Sequence, residues 1–179
     1  MKKILLIAVA ALALFAGSAA AADFGLFGSY WDTKDAQQGY GGGVKLDFAH
    51  YIELRATYFQ DVTADTGTAR RHDFKLHATP LDAGLVFKFA PHERFTPYVG
   101  GGASYIFLDT NHGNIDDETG WYAEVGADIK TASGLGFMIE GLYRGVSATV
   151  RGDDPTDITG KTKIDLGGPG INAGLVWSF

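Results

Sequence analysis

Residues 171–179 read INAGLVWSF and close the sequence. Ile171, Ala173, Leu175, Trp177 and Phe179 fall on one parity, while Asn172, Gly174, Val176 and Ser178 fall on the other. Successive side chains on a β-strand point to opposite faces, so this stretch is a strand with one strongly apolar face. Soluble domains usually finish in a few loose polar residues. Here two large aromatics end the strand, so something must hold it in register and cover those rings.

The same alternation recurs upstream. In 39–48, GYGGGVKLDF, Tyr40, Val44, Leu46 and Phe48 oppose Gly39, Gly41, Gly43, Lys45 and Asp47. In 51–59, Ile52, Leu54, Ala56 and Tyr58 oppose Glu53, Arg55 and Thr57. In 81–89, Leu81, Ala83, Leu85, Phe87 and Phe89 oppose Asp82, Gly84, Val86 and Lys88. The split is weaker in 97–107, where Val99, Ala103, Tyr105 and Phe107 agree. Trp121, Ala123, Val125, Ala127 and Ile129 oppose Glu124, Gly126, Asp128 and Lys130. Leu135, Phe137, Ile139 and Tyr143 oppose Gly136, Glu140 and Arg144. With FGLFGSYW at 24–31, whose parity is ambiguous, there are roughly eight segments of about ten residues each.

The connections alternate in length. Residues 49–51, 90–95 and 131–133 are short, whereas 32–38, 61–73, 109–119 and 147–163 are mostly longer, polar and rich in turn residues. Short turns at one end and long loops at the other describe an antiparallel up-and-down meander.

The beginning of the chain indicates export. Lys2 and Lys3 precede an apolar run over 4–15, and Ala20, Ala21 and Ala22 form a small-residue cleavage site before Asp23. This is the pattern of a secretory signal peptide over 1–22, leaving one domain over 23–179. The run is short for a membrane-anchoring helix. There is no cysteine, which excludes disulfides and a lipid-modified cysteine. Loss of Lys2 and Lys3 takes the formal charge from −6 to −8. An acidic exported chain lacks the clustered Lys and Arg that nucleic acid requires.

Parity alone does not say which face looks inward, because a soluble ligand-binding barrel also alternates. Two features decide. Gly39, Gly41, Gly43, Gly84, Gly126, Gly136 and Gly174 all share the polar face, and glycine suits the crowded inside of a small barrel better than an open surface. The apolar face carries Tyr40, Tyr58, Tyr105, Trp121 and Tyr143 near the long-loop end, and Phe48, Phe89, Phe137, Trp177 and Phe179 near the short-turn end. Two aromatic belts flanking an aliphatic band are what membrane interfaces select. The expected fold is all-β: an eight-stranded antiparallel up-and-down transmembrane β-barrel with its polar face inside.

The leader, the alternating strands, HATPLDAGLVFKFAP followed by FTPYVGGGASYIF, and the final strand ending in Phe179 resemble the small outer-membrane β-barrel proteins, a group that includes OmpA-like, OmpX-like and OmpW-like barrels. The resemblance covers essentially all of 23–179, and the run from Pro80 through Gly100 resembles the OmpW-like and general β-barrel-domain pattern most closely. It implies residence in the bacterial outer membrane, among lipid and lipopolysaccharide. It also implies that INAGLVWSF, with Trp177 and Phe179, is the segment recognised by the outer-membrane assembly machinery.

Motifs with chemistry are few. TGKT at 159–162 lacks the upstream glycine of a phosphate loop, since Pro155 stands there. GYGGGVK lacks a strand-to-helix setting. The acidic stretch 109–119 has Gly113 one place early for a calcium loop and no flanking helix pattern, so it reads as a solvated loop. A lipid A deacylase would need His and Ser two apart on one face; His50, His72, His77, His92 and His112 lie mainly in connections, and none has Ser two positions on. No catalytic residue, cofactor or metal is expected, and an acyl-modifying enzyme ranks last among the readings.

What remains is the charge on the inward parity. Lys45, Arg55, Lys88, Lys130 and Arg144 are basic, and Asp47, Glu53, Asp82, Glu124, Asp128 and Glu140 are acidic. Charges in a narrow barrel must be paired or hydrated, so this set reads as a salt-bridged filling. It would make the protein a membrane-anchored scaffold with surface loops and a largely occluded lumen. The alternative is a narrow OmpW-like channel for a small or hydrophobic solute. Along the strands, Lys45, Asp47, Glu53 and Arg55 should gather in the periplasmic half, with Lys88 and Asp128 at similar depth. Gly39, Gly41 and Gly43 should leave the upper part of one wall bare, as a hydrated vestibule.

Overall fold

The computed structural model describes residues 22–34, 38–48, 51–64, 74–91, 93–110, 117–131, 134–151 and 161–178. The strands, in chain order, are β1 (Ala22–Trp31), β2 (Gly39–Phe48), β3 (Ile52–Ala64), β4 (Phe74–Lys88), β5 (Phe95–Thr110), β6 (Glu118–Lys130), β7 (Leu135–Gly145), β8 (Ser147–Arg151), β9 (Lys161–Asp165) and β10 (Gly168–Ser178). Eight of them close into a barrel in the order β1-β10-β7-β6-β5-β4-β3-β2, and among the described residues β8 and β9 form a separate two-stranded sheet.

Tight turns set the register at one end. The Tyr51 N–H donates to the Phe48 carbonyl at 3.0 Å, which puts Lys45 opposite Arg55 and Asp47 opposite Glu53. The β6–β7 turn uses Gly134 at φ +80°, a left-handed conformation that costs glycine nothing. A side chain there would also press on the Ser178 carbonyl at 3.1 Å. Closure comes from β1, which pairs with β2 on one side and with β10 on the other, from Asp23–Ser178 to Trp31–Gly170. A closed sheet leaves no barrel edge with unpaired amides, the condition for strands to cross hydrocarbon.

At the long-loop end the strands run further than their alternation implies. β3 continues to Ala64, β5 to Thr110, and β6 begins at Glu118. The 147–163 connection is also more ordered than a loop: β8 and β9 pair from Ser147–Asp165 to Arg151–Lys161 as a ribbon. Five residues are too few to establish a period, so the sequence pattern could not separate them from polar connection. The TGKT glycine, most of the acidic 109–119 stretch, and residues 1–21 and Phe179 lie outside the described residues. Asp117 is tied back to β5, accepting from the Tyr105 hydroxyl at 3.1 Å and the Leu108 N–H at 3.3 Å.

Burial is inverted relative to a soluble barrel. Leu85 is 68 % exposed, Val125 61 % and Ile139 58 %, while Glu53 is 0 % and Arg55 2 % exposed. Tyr40, Tyr58, Tyr105, Trp121 and Tyr143 ring the outside at the long-loop end. Phe89 and Phe137 do so at the short-turn end, where Phe48 and Trp177 are half-buried. His77 belongs to β4 rather than to a connection, and its ring stacks on Tyr58 at 6.2 Å. Among the described residues no helix is long and apolar enough to cross a membrane. The crossing is made by strands.

Candidate functional site: an ion-paired lumen

The inward residues of eight strands meet in the barrel axis, and three tiers follow from their positions along the strands. Near the short turns, the Lys88 Nζ lies 2.5 Å from Asp23, 2.7 Å from Asp47 and 3.4 Å from Asp128. Lys130 adds a contact to Asp23 at 3.3 Å.

The middle tier is built on Arg55 and Lys45. Arg55 Nη2 contacts Glu53 at 2.8 Å, Glu140 at 3.1 Å and Glu124, and its Nη1 is 3.8 Å from Asp82. The Lys45 Nζ reaches Glu53 at 2.8 Å, Glu140 at 3.1 Å and Glu124 at 3.7 Å. Neutral donors add to two of these carboxylates: the Tyr98 hydroxyl and the Asn172 amide donate to Glu140 at 3.0 and 2.7 Å, and the Tyr122 hydroxyl donates to Glu53 at 3.0 Å. Lys45 also sits 4.2 Å from the Tyr98 ring centroid, and Arg55 5.4 Å from that of Tyr122. Such stacking offsets part of the cost of withdrawing a cation from water.

The upper tier is Arg144. It donates to Asp82 at 2.6 Å and lies 5.5 Å from the Trp31 ring and 6.0 Å from the Phe59 ring. Ser104 donates to the second Asp82 oxygen at 2.6 Å. Buried Ile106, Leu108, Val146 and Leu166 belong to this loop-side end of the molecule.

Of the eleven inward charges expected from the pattern, ten, Lys45, Asp47, Glu53, Arg55, Asp82, Lys88, Glu124, Asp128, Glu140 and Arg144, are buried and each makes an ion pair, and the eleventh, Lys130, is half-buried and pairs with Asp23. With Asp23 and Lys130 included, five basic side chains face seven carboxylates among the described residues. The interior therefore leans acidic.

The bare wall above Lys45 is a correction. A Cβ on Gly41 would stand 2.9 Å from the Phe59 ring, and one on Gly43 2.7 Å from the Phe27 ring. Those glycines leave room for aromatic rings, not for a hydrated vestibule at that height. The same pairing recurs lower down, with the Tyr98 hydroxyl 2.6 Å from a Cβ on Gly126 and the Tyr122 hydroxyl 2.5 Å from one on Gly84.

Sequence reasoning missed these inward rings, Phe27, Trp31, Phe59, Tyr98 and Tyr122, together with Asp23 and Asn172. The signal was available in the glycines. Several inward glycines in a narrow barrel make room that large inward side chains from facing strands can fill.

Glu53, Glu124 and Glu140 bring carboxylate oxygens within 4.8 Å of one another. That is a donor set for a hard cation. Arg55 and Lys45 already stand among these oxygens, so the trio acts as their counter-ion.

A closed barrel with an aliphatic, aromatic-belted outside and an ion-paired inside defines a transmembrane β-barrel protein. The chain belongs to the outer membrane protein beta-barrel domain family, whose model matches residues 4–179. Its place is the outer membrane, with the short turns periplasmic and the long loops outside. Among solved structures it is similar to the outer membrane protein OprG from Pseudomonas aeruginosa, with a TM-score of 0.70 at 16 % identity over 90 % of this chain and 96 % of that one. It is also similar to the E. coli outer membrane protein W, with a TM-score of 0.60 at 15 % identity over 91 % and 100 % of the two chains. Neisserial surface protein A gives a TM-score of 0.59 at 13 % identity over 90 % and 98 %. At these identities the likeness is one of fold. A search of curated protein sequences returns no match.

Proposed function

We propose that this barrel is closed along its axis by its own side chains and serves as a membrane anchor presenting its outer loops and the β8–β9 ribbon at the cell surface. The observation that carries the reading is Arg55. Its side chain has no exposed surface, and its contacts link β3 to β4, β6 and β7 through Asp82, Glu124 and Glu140. Such a cross-brace spans the lumen, and an ion following the axis would have to displace it. The reading assigns no catalysis and no cofactor. The expected partners are outer-leaflet lipopolysaccharide and, during biogenesis, the assembly machinery acting on the last strand. Planar-bilayer recording tests the closure: purified protein should give no steady conductance at modest voltage, and sustained single-channel steps would sink the proposal.

A second reading, passage of a small or hydrophobic solute, has one specific observation in its favour. The β3–β4 ladder steps from Ala56–Leu81 to Phe59–Ala78, then slips register before Val62–Leu76. Pro80, which has no N–H to donate, lies on β4 beside the skipped positions Thr57 and Tyr58. Among the described barrel pairings this seam is the one with a register slip, and a solute could leave through it sideways into lipid without crossing the Arg55 brace. A Tyr58→Cys/Thr79→Cys pair would lock it. Uptake of apolar solutes by cells carrying the wild type, lost on oxidation of the pair and restored on reduction, would favour passage over anchoring.

A further inference from the structure

A groove of about 440 Å³ opens on the loop-side rim and is lined by Lys34, Thr119, Trp121, Tyr143, Ser147 and Asp165. It is separate from the ion-paired lumen. Trp121 and Tyr143 belong to the outer aromatic belt, and their rings stand 5.7 Å apart at 31°. Trp121 is 52 % exposed. A Cβ on Gly145 would collide with the indole, so this glycine lets the ring lie close against the sheet.

The polar side of the groove is equally well placed. The Lys34 N–H donates to the Gly167 carbonyl at 3.1 Å, anchoring this loop residue over the top of β10. Its ammonium lies 3.1 Å from Asp165, whose carboxylate also accepts from the Gly167 N–H at 2.8 Å. Donation from the ammonium to the Asp165 carboxylate and to the Tyr143 hydroxyl holds Lys34 above its ordinary range, so it stays cationic. Thr119 and Ser147 add hydroxyls.

Resting on the proposed function, which has outer-leaflet lipopolysaccharide as the expected partner, we infer that this groove binds the phosphorylated saccharide headgroup of that glycolipid. Each part of the groove matches a part of that ligand. A partly exposed indole resting on the sheet suits the apolar face of a sugar ring. A carboxylate beside hydroxyls suits ring hydroxyls and would repel a bare phosphate. One fixed ammonium takes a phosphate oxygen. The belt of Trp and Tyr marks the height at which headgroups begin. An acyl chain alone would leave the Lys34–Asp165 pair without a role.

The test uses the folded protein in neutral-detergent micelles, titrated with lipid A and, separately, with its dephosphorylated form, and read by native mass spectrometry. Lipid A should bind in preference to the dephosphorylated lipid. Lys34→Ala and Trp121→Ala should each weaken it about tenfold, the equivalent of one good charge-assisted or stacking contact. Arg94→Ala, at the opposite end of the barrel, should leave binding unchanged. Lys34→Arg and Trp121→Phe keep the charge and the ring and should retain most of it, which separates groove chemistry from loss of fold. Equal affinity for the dephosphorylated lipid, or wild-type affinity in both alanine variants, would overturn the assignment.

Discussion

Arg55 concentrates the physics of this interior. Its guanidinium is withdrawn from water among Glu53, Asp82, Glu124 and Glu140. A buried pair of this kind adds little net stability over an apolar isostere, but removing one member leaves the others uncompensated. Arg55→Ala should therefore lower stability by about 3–5 kcal/mol, read as the urea unfolding midpoint of refolded protein. Arg55→Lys keeps the charge without the planar fork that reaches several carboxylates at once, so its loss should be smaller. An unchanged midpoint for the alanine variant would mean that the brace does not hold the barrel together. The glycine–ring contacts make a matching case. Gly126→Val puts side-chain atoms where the Tyr98 ring lies, and overpacking of this kind costs about 1–3 kcal/mol. Gly126→Val combined with Tyr98→Ala should recover part of the loss, and a simple sum of the two losses would argue against direct contact.

At the scale of the strand, each of the eight barrel strands has one face for lipid and one for the lumen. Ile139 on β7 is 58 % exposed between the buried Met138 and Glu140. Leu54 on β3 is flanked in the same way by Glu53 and Arg55. Arginine at either position would face hydrocarbon and should cost about 2–4 kcal/mol in unfolding from lipid vesicles. A silent Leu54→Arg would place that face in water. β10 has a second task. It pairs with β1 on one side and β7 on the other, so nothing closes until it docks. Trp177 packs against Phe24 across the closing seam, with ring centroids 6.4 Å apart. Deleting Phe179 should impair insertion in cells far more than it lowers the urea midpoint of barrels refolded in vitro. Comparable losses in the two measurements would assign Phe179 to stability rather than to assembly.

For the whole molecule, the prediction concerns what happens when the axis is opened. Wild-type barrels should be electrically quiet, and Arg55→Ala should raise ion leakage as water enters the middle tier. The lumen holds seven carboxylates against five basic side chains among the described residues, and removing Arg55 widens that imbalance. Any leak should therefore favour cations, because fixed charge along a narrow path selects the opposite sign. Reversal-potential measurements in a salt gradient read this directly. An anion-selective leak would mean that the acidic tiers do not line the path.

The amphipathic strands, the parity of the charged residues and the alternation of short and long connections were legible in the chain, because a period of two is a local property of the backbone. INAGLVWSF, read alone, already required a neighbour, and β1 supplies it. The inside-out assignment was legible too, since glycines on one face and aromatic belts on the other have few physical explanations. Partnership across the barrel was not. That Arg55 would meet Glu124 and Glu140, 69 and 85 residues away, depends on closure and on the stagger of neighbouring strands. Parity says which way a residue points; it says nothing about its height relative to a residue on the opposite wall. The bare wall expected above Lys45 failed for this reason. The glycines were read without the rings that fill their space, and those rings come from β1 and β3. The groove at Trp121 arises only where separate connections meet at one rim, and the β8–β9 ribbon pairs within one connection through strands too short to show a period. A one-dimensional pattern determines faces, and only the closed barrel determines which faces meet.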